Sequence, residues 1–208
     1  MADTIARQRA QIGPQDDGRR MSLEEFRDMP GEPGYRYELG RGVVQVAPIP
    51  NLSHGLIIQA IDEQIYAWRG THPGVVSYYA GGEGAKVELP VLVSERHPDR
   101  SIYATPAPPD EQPWDRWTPS ITIEVVSPRP DAAQRDYVEK REEYLALGVL
   151  EYWIVDPQER GMLALTRHGD RWREHKLAAD GKWTTPLLPG FTLDLAHVFS
   201  VLDRPAAS

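Results

Sequence analysis

Asp99, Glu124 and Lys140 are the residues of this 208-residue chain whose types and setting could do hydrolytic chemistry. Glu124 interrupts an otherwise β-branched and apolar run, Ile121 to Val126, of the kind that is buried on both faces of a sheet. An unpaired carboxylate there would be costly, so Glu124 must be protonated, paired or holding a cation. Asp99 follows Pro98 at the start of another short strand that ends at Tyr103. Lys140 falls in a helix expected from about Ala132 to Leu147, stopped by Gly148 as a left-handed cap. Asp136, Lys140 and Tyr144 then share one helical face. If the helix packs back over the Glu124 strand, the lysine meets the acid.

Two carboxylates supply oxygen ligands for a hard cation. Magnesium fits, since it takes one or two carboxylates and completes its shell with water and substrate phosphate. Such a cation neutralises phosphate charge and acidifies water. A neighbouring lysine could orient that water, or deprotonate it if burial lowered its pKa. The same residues also make a buried Glu–Lys pair with Asp99 as a strand-entry turn residue, and spacing does not choose between the two.

The elements that must position these residues centre on Ile121 to Asp156, which reads as strand, turn, helix, strand. Upstream, Ser22 and Glu25 form a capping box for a short helix from Leu23 to about Met29. Tyr37–Leu39 and Val43–Val46 flank a glycine turn and read as a hairpin, with Glu38 in its first strand. Asn51 and Ser53 are candidate caps for a helix through Trp68, whose stripe Leu56, Ile57, Ile61, Ile65 and Trp68 is core. His54 lies in its first turn. Val75–Ala80 and Ala85–Val93 read as two strands around Gly81 to Gly84, a glycine pattern that needs no more than a tight turn. The Pro-rich loop of residues 105–120 should lie on the surface, with Trp114 and Trp117 folding back. Met162–Arg167, Trp172–Leu177 and Trp183–Leu187 read as an antiparallel extension, and a short helix around Leu195 to Leu202 closes the domain.

Composition sets outer bounds. With 40% hydrophobic and 26% charged residues, the expectation is one domain over residues 21–202, between a disordered tail of residues 1–20 and a short tail of residues 203–208. The absence of cysteine excludes disulfides, thiolate metal sites and cysteine nucleophiles. A net charge of -8 argues against a broadly basic nucleic-acid surface. No run resembles a signal peptide or a bilayer span, so a cytoplasmic protein without membrane contact is expected.

The motifs together carry a resemblance. Pro98-Asp99, Glu124-Val-Val-Ser-Pro128, Asp136-x-x-x-Lys140-x-x-x-Tyr144 and Gly148-Val-x-Glu-Tyr-Trp-x-Val-Asp-Pro157 resemble the Uma-two type of restriction endonucleases in the PD-(D/E)XK nuclease superfamily. Tyr37-Glu-Leu-x-x-Gly42, His54 and Leu188-Pro-Gly-Phe-x-Leu agree with it, and the match covers about Met21 to Leu202. The resemblance implies an α/β (α+β) fold, restriction-endonuclease-like, with a mixed central β-sheet flanked by helices and an antiparallel C-terminal extension. It implies magnesium, or manganese in its place, held by Asp99, Glu124 and the backbone carbonyl of Val125. Lys140 would position or activate a water that cleaves a phosphodiester to a 5′-phosphate and a 3′-hydroxyl. The superfamily lysine normally stands two residues after the second acid, where this chain has Val126, and Lys140 on the following helix takes its place. The resemblance also raises Glu38 as an extra acid, His54 as a substrate or phosphate contact, and Asp136 as a residue that steers Lys140.

The expected substrate is DNA, with structured RNA as an alternative, and a homodimer would suit the cutting of two strands. Two other classes stay open on sequence. One is a non-catalytic nucleic-acid or protein-binding module that keeps the acid–lysine set as an ion pair. The other is a glycosidase-like use of Asp99 and Glu124.

Overall fold

The structure is a computed structural model that describes residues 11–110 and 113–203. In chain order the elements are α1 (Leu23–Asp28), β1 (Tyr35–Gly40), β2 (Val43–Pro48), α2 (Leu52–Thr71), β3 (Tyr78–Ala80), β4 (Val87–Leu89), β5 (Ser94–Arg96), β6 (Arg100–Tyr103) and β7 (Ile121–Val125). Then come α3 (Ala132–Gln134), a π-helical turn (Arg135–Glu139), α4 (Lys140–Leu147), β8 (Glu151–Asp156), β9 (Gly161–His168), β10 (Arg171–Leu177), β11 (Lys182–Trp183), β12 (Leu193–Asp194) and α5 (Leu195–Ser200). The chain divides into two compact units, residues 1–49 with 88–96, and residues 50–87 with 97–208.

The first unit is built on a four-stranded sheet in the order β2-β1-β5-β4. β1 and β2 form the expected hairpin, paired from Tyr35↔Pro48 to Gly40↔Val43. Its turn residues Arg41 and Gly42 have φ of 51° and 74°, the left-handed pair that matches the twist of a two-residue hairpin. α1 begins at Ser22, whose hydroxyl accepts the Glu25 amide while Glu25 accepts the Ser22 amide, so the capping box is formed. Ile12, Met21, Phe26, Leu39, Val44 and Val46 make the core. Residues 11–20 are therefore no structureless tail. Ile12 is buried and bridged to Gly31, and Arg20 is bridged to Val43. The rest of the expected N-terminal tail, residues 1–10, lies outside the described residues, as do residues 204–208.

The second unit carries a six-stranded mixed sheet, β10-β9-β8-β7-β6-β3. β7 and β8 are parallel, with Ile121↔Glu151 through Val125↔Val155, and are joined by the helical segment α3 to α4. Alternation in the strands separates two faces. Ile121, Ile123, Val125, Trp153 and Val155 pack with Ile57, Ile61, Ile65 and Trp68 of α2, so the predicted stripe is core. Glu124 and Tyr152 project from the other face, toward α4. β9 and β10 give the antiparallel C-terminal extension.

The strand reading between residues 85 and 93 is corrected: only Val87–Leu89 is extended there, and a 3-10 turn at Pro90–Leu92 follows. Pro90 lacks the amide needed to continue a ladder. β3 pairs with β6, not with β4, and β5 was not anticipated. Trp183–Leu187 is likewise shorter, with Lys182–Trp183 pairing to β12 as a separate ribbon. Trp117 folds back as expected, its ring centroid 4.2 Å from that of Tyr103.

Glu151 is a second buried acid on β8. Its carboxylate accepts Thr185 Oγ1 at 2.5 Å and Trp153 Nε1 at 2.8 Å, yet burial outweighs these bonds and raises its pKa above the ordinary range of a glutamate. A raised folded pKa favours the native state while the group is protonated, and that contribution is lost as pH rises through the folded value. Glu151→Gln removes this titration while keeping an oxygen acceptor. Urea midpoints measured at about pH 4 and about pH 7 are expected to show the variant gaining on the wild type at the higher pH.

Candidate active site

Glu124 and Lys140 meet as the strand–helix geometry requires. Lys140 Nζ lies 2.9 Å from Glu124 Oε1, and the residues are 2% and 3% exposed. Tyr144, one turn further along α4, donates its hydroxyl to the same oxygen at 2.7 Å. Asp136 Oδ1 stands 3.7 Å from Lys140 Nζ, one turn before it, and Asp136 also takes Arg135 Nε at 3.0 Å and a second guanidinium nitrogen at 3.3 Å. A buried carboxylate and ammonium are tolerable only with such a set of charge-assisted bonds.

Asp99 joins them through the sheet. β6 pairs antiparallel with β7 at Arg100↔Ile123, and one further step of that register sets Asp99 opposite Glu124, on the same face. Its Oδ2 accepts the backbone amide of Val125 at 2.9 Å, which fixes the carboxylate at the end of β7. Its Oδ1 lies 3.2 Å from His54 Nε2. His54 sits in the first turn of α2, where its amide bonds the Asn51 cap at 3.0 Å, and its Nδ1 is buried without a hydrogen-bond partner. Arg100 points to the opposite face, as strand alternation requires, and binds both Asp62 oxygens at 2.7 and 2.5 Å. Tyr79 donates to the same aspartate, so α2 is tied to β6 next to Asp99.

The expected residues thus fall into two groups. Asp99, Glu124, Lys140, Asp136, His54 and the backbone of Val125 lie in the second unit and connect through the bonds above. Glu38 lies in the first unit, on β1, where its carboxylate takes Arg96 Nη1 at 3.4 Å and Arg96 also bonds Gln45. Pairing with an arginine is an ordinary role for a strand carboxylate.

Three contributors were not foreseen. Tyr144 was placed on the face of Lys140 without a role, although its i+4 spacing from Lys140 sets it over Glu124. Tyr152 shares the Glu124 face with Ile154 on β8 and donates its hydroxyl to the Asp136 carbonyl at 2.9 Å. Burial, with the nearby carboxylates of Asp136 and Glu124, holds that hydroxyl well above the ordinary tyrosine pKa, so it acts as a donor. Gly81 is the third. A side chain there would place its Cβ 1.9 Å from the Asp99 carbonyl oxygen, and the next amide, that of Gly82, bonds the Pro98 carbonyl at 2.8 Å. The glycine turn is a backbone clamp on Pro98-Asp99. No signal in the sequence distinguished it from a plain turn.

Comparison with known proteins follows this geometry. Residues 23–196 match the Uma2 family, described as "Putative restriction endonuclease". The chain belongs to the Uma2 family. Among solved structures it is similar to a protein from Anabaena variabilis described as a "putative nuclease belonging to DUF820", with a TM-score of 0.67 and 19% identity over 88% of this chain and 99% of that one. At that identity the likeness speaks for the fold, which is restriction-endonuclease-like. No curated protein matches the chain. Among the described residues of this Uma2 protein no helix is long and apolar enough to cross a membrane.

Whether a metal fits can be judged from the donor set. Among the described residues no group of three or more His, Asp or Glu side chains is arranged to hold an ion. A magnesium site needs fewer, since one or two carboxylates suffice and water and phosphate complete the shell. Asp99 and Glu124, two oxygen donors on one sheet face, meet that requirement.

The clamp gives a direct test. Gly81→Ala should force the Asp99 backbone away, with a loss of about 1–3 kcal/mol of stability from overpacking. Hydrogen exchange at the Val125 amide should accelerate as its bond to Asp99 is lost. Unchanged protection at Val125 would show that the clamp does not hold Asp99.

Proposed function

We propose that this chain is a metal-dependent endonuclease that hydrolyses DNA phosphodiester bonds at Asp99, Glu124 and Lys140. The observation that carries the proposal is the 2.9 Å contact of buried Lys140 Nζ with Glu124, on the face to which Asp99 is bound through the Val125 amide. A structural ion pair accounts for Glu124 and Lys140, but not for a second acid held beside them by a backbone amide and a glycine clamp. Family membership and the nuclease-like fold support the same conclusion.

Asp99, Glu124 and the Val125 carbonyl would hold magnesium, with manganese as a substitute. When bound, the cation supplies charge neutralisation at the phosphate and a more acidic water. Lys140 carries its ammonium to the edge of this acid pair, where it can donate to the attacking water or to a phosphate oxygen and fix the in-line approach. Water attacks phosphorus and the bond to the 3′ oxygen breaks. The water's proton passes to solvent, the leaving oxygen takes a proton, and the products carry a 5′-phosphate and a 3′-hydroxyl. Asp136 steers Lys140 from one turn away, and Tyr144 holds Glu124 in a single rotamer. His54, pressed against Asp99 with a buried Nδ1, is placed to orient that acid and to meet a phosphate. A chain of net charge -8 has little general attraction for a polyanion, so the cation would carry much of the phosphate binding.

The test is cleavage of labelled single- and double-stranded DNA, and of a structured RNA, with magnesium, manganese or EDTA. Metal-dependent cutting of DNA is expected, abolished by EDTA and reduced about 100-fold or more in Glu124→Ala and Lys140→Ala. If folded wild-type protein cuts no substrate with any metal, yet both variants bind DNA as it does, the protein is a binding module instead.

A further inference from the structure

The helical segment that carries Lys140 departs from α-geometry immediately before the lysine. Arg135–Glu139 form a π-helical turn, and the Lys140 amide bonds the carbonyl of Arg135, five residues back. In a regular α-helix that amide would go to the carbonyl four residues back, which belongs to Asp136. The Asp136 carbonyl accepts the Tyr152 hydroxyl at 2.9 Å. A π-turn is otherwise rare and costly, and such turns concentrate at functional sites.

The turn matters because of what hangs from it. Asp136 is 1% exposed, with its carboxylate 3.7 Å from Lys140 Nζ. Lys140 is the first residue of α4 and reaches Glu124 at 2.9 Å. Widening by one residue alters the angle at which Lys140 leaves the helix, by roughly the 100° that one residue subtends. A carbonyl displaced from its α-helical partner must find another donor when buried. Tyr152 comes from β8, the strand that pairs with the Glu124 strand at Glu124↔Ile154, so the sheet that holds the acid also holds the helix backbone that aims the lysine. The Tyr152 ring is fixed independently, edge-on to Tyr144 at 4.9 Å between centroids.

We infer that Tyr152 is a positioning residue: its hydroxyl holds the π-turn open at Asp136 and thereby aims Lys140 at Glu124. The inference rests on the nuclease proposal for its kinetic consequence, but not for its structural one. Tyr152→Phe keeps the ring and removes only the donor, and the turn then relaxes toward α-geometry, rotating Lys140 away from Glu124.

The experiment compares wild type, Tyr152→Phe and, as a control that deletes a hydroxyl-to-carbonyl bond elsewhere, Tyr37→Phe, whose hydroxyl meets the Glu32 carbonyl at 3.2 Å. Lysine is labelled with ¹⁵N. The chain has four lysines, and the Lys140 Nζ signal is assigned with Lys140→Arg. In wild type a buried, hydrogen-bonded ammonium gives an exchange-protected Nζ cross-peak. Tyr152→Phe should shift that peak or lose it to exchange, while Tyr37→Phe leaves it in place. In cleavage assays kcat should fall about 10- to 100-fold in Tyr152→Phe with KM little changed, the penalty of a misaligned group. An unaltered Nζ signal and unaltered kcat in folded Tyr152→Phe would overturn the inference. If wild type cleaves nothing, the nuclease proposal fails separately and the Nζ signal alone decides this one. If Tyr152→Phe does not fold, the wild type is used: a slowly exchanging Tyr152 hydroxyl proton with a cross-peak to the Tyr137 amide supports the bond, and its absence overturns it.

Discussion

A buried carboxyl group in the middle of a sheet is the constraint on which the second unit depends. Glu124 sits on β7 between residues that pack against α2, and a lysine and a tyrosine delivered from one helix offset the cost of burying it. Each delivery has its own support. Lys140 is aimed by the π-turn and accompanied by Asp136, and Tyr144 is wedged against Tyr152. The covering helix is therefore not interchangeable with any amphipathic helix of the same length. Its apolar burial is modest, and its register over the sheet follows from polar bonds of fixed direction, which place atoms more narrowly than hydrophobic packing does.

The same logic extends to Asp99. A strand-entry aspartate would ordinarily be mobile and solvated, but here its carboxylate is bonded to the Val125 amide and its backbone is gripped by Gly81 and Gly82. Arg100 turns the other way and locks to Asp62 on α2, with Tyr79 as a third member. The two sides of β6 thus perform opposite tasks: one anchors the strand to the core helix, while the other presents an acid beside Glu124. Preorganisation of this kind is what electrostatic catalysis requires, since groups already held in place need not reorganise during reaction.

Much of this was legible in the sequence, and the exceptions have physical causes. The strand with its misplaced acid, the helix from Ala132 to Leu147, the α2 stripe, the capping box at Ser22 and the β9–β10 extension all follow from local periodicity and capping. The pairing of Lys140 with Glu124 could be anticipated because strand–helix–strand units fold back on themselves. Two features were illegible. The π-turn depends on a hydroxyl from β8, sixteen residues beyond the carbonyl it binds, and no helical pattern encodes that. The role of Gly81 depends on a backbone approach between segments that are not neighbours in sequence. Glu38 was raised by resemblance, and its carboxylate takes Arg96 of its own unit.

The measurement that bears most directly on the central claim is a crystal structure of the protein soaked in manganese, phased for anomalous signal, beside the same experiment on Glu124→Gln. The account predicts an anomalous peak in the wild type at about 2.2 Å from oxygens of both Asp99 and Glu124, with water completing the shell, and its loss or marked weakening in the variant. A wild-type structure without a peak between these two acids, or with manganese bound elsewhere and Lys140 still closed on Glu124, would contradict it.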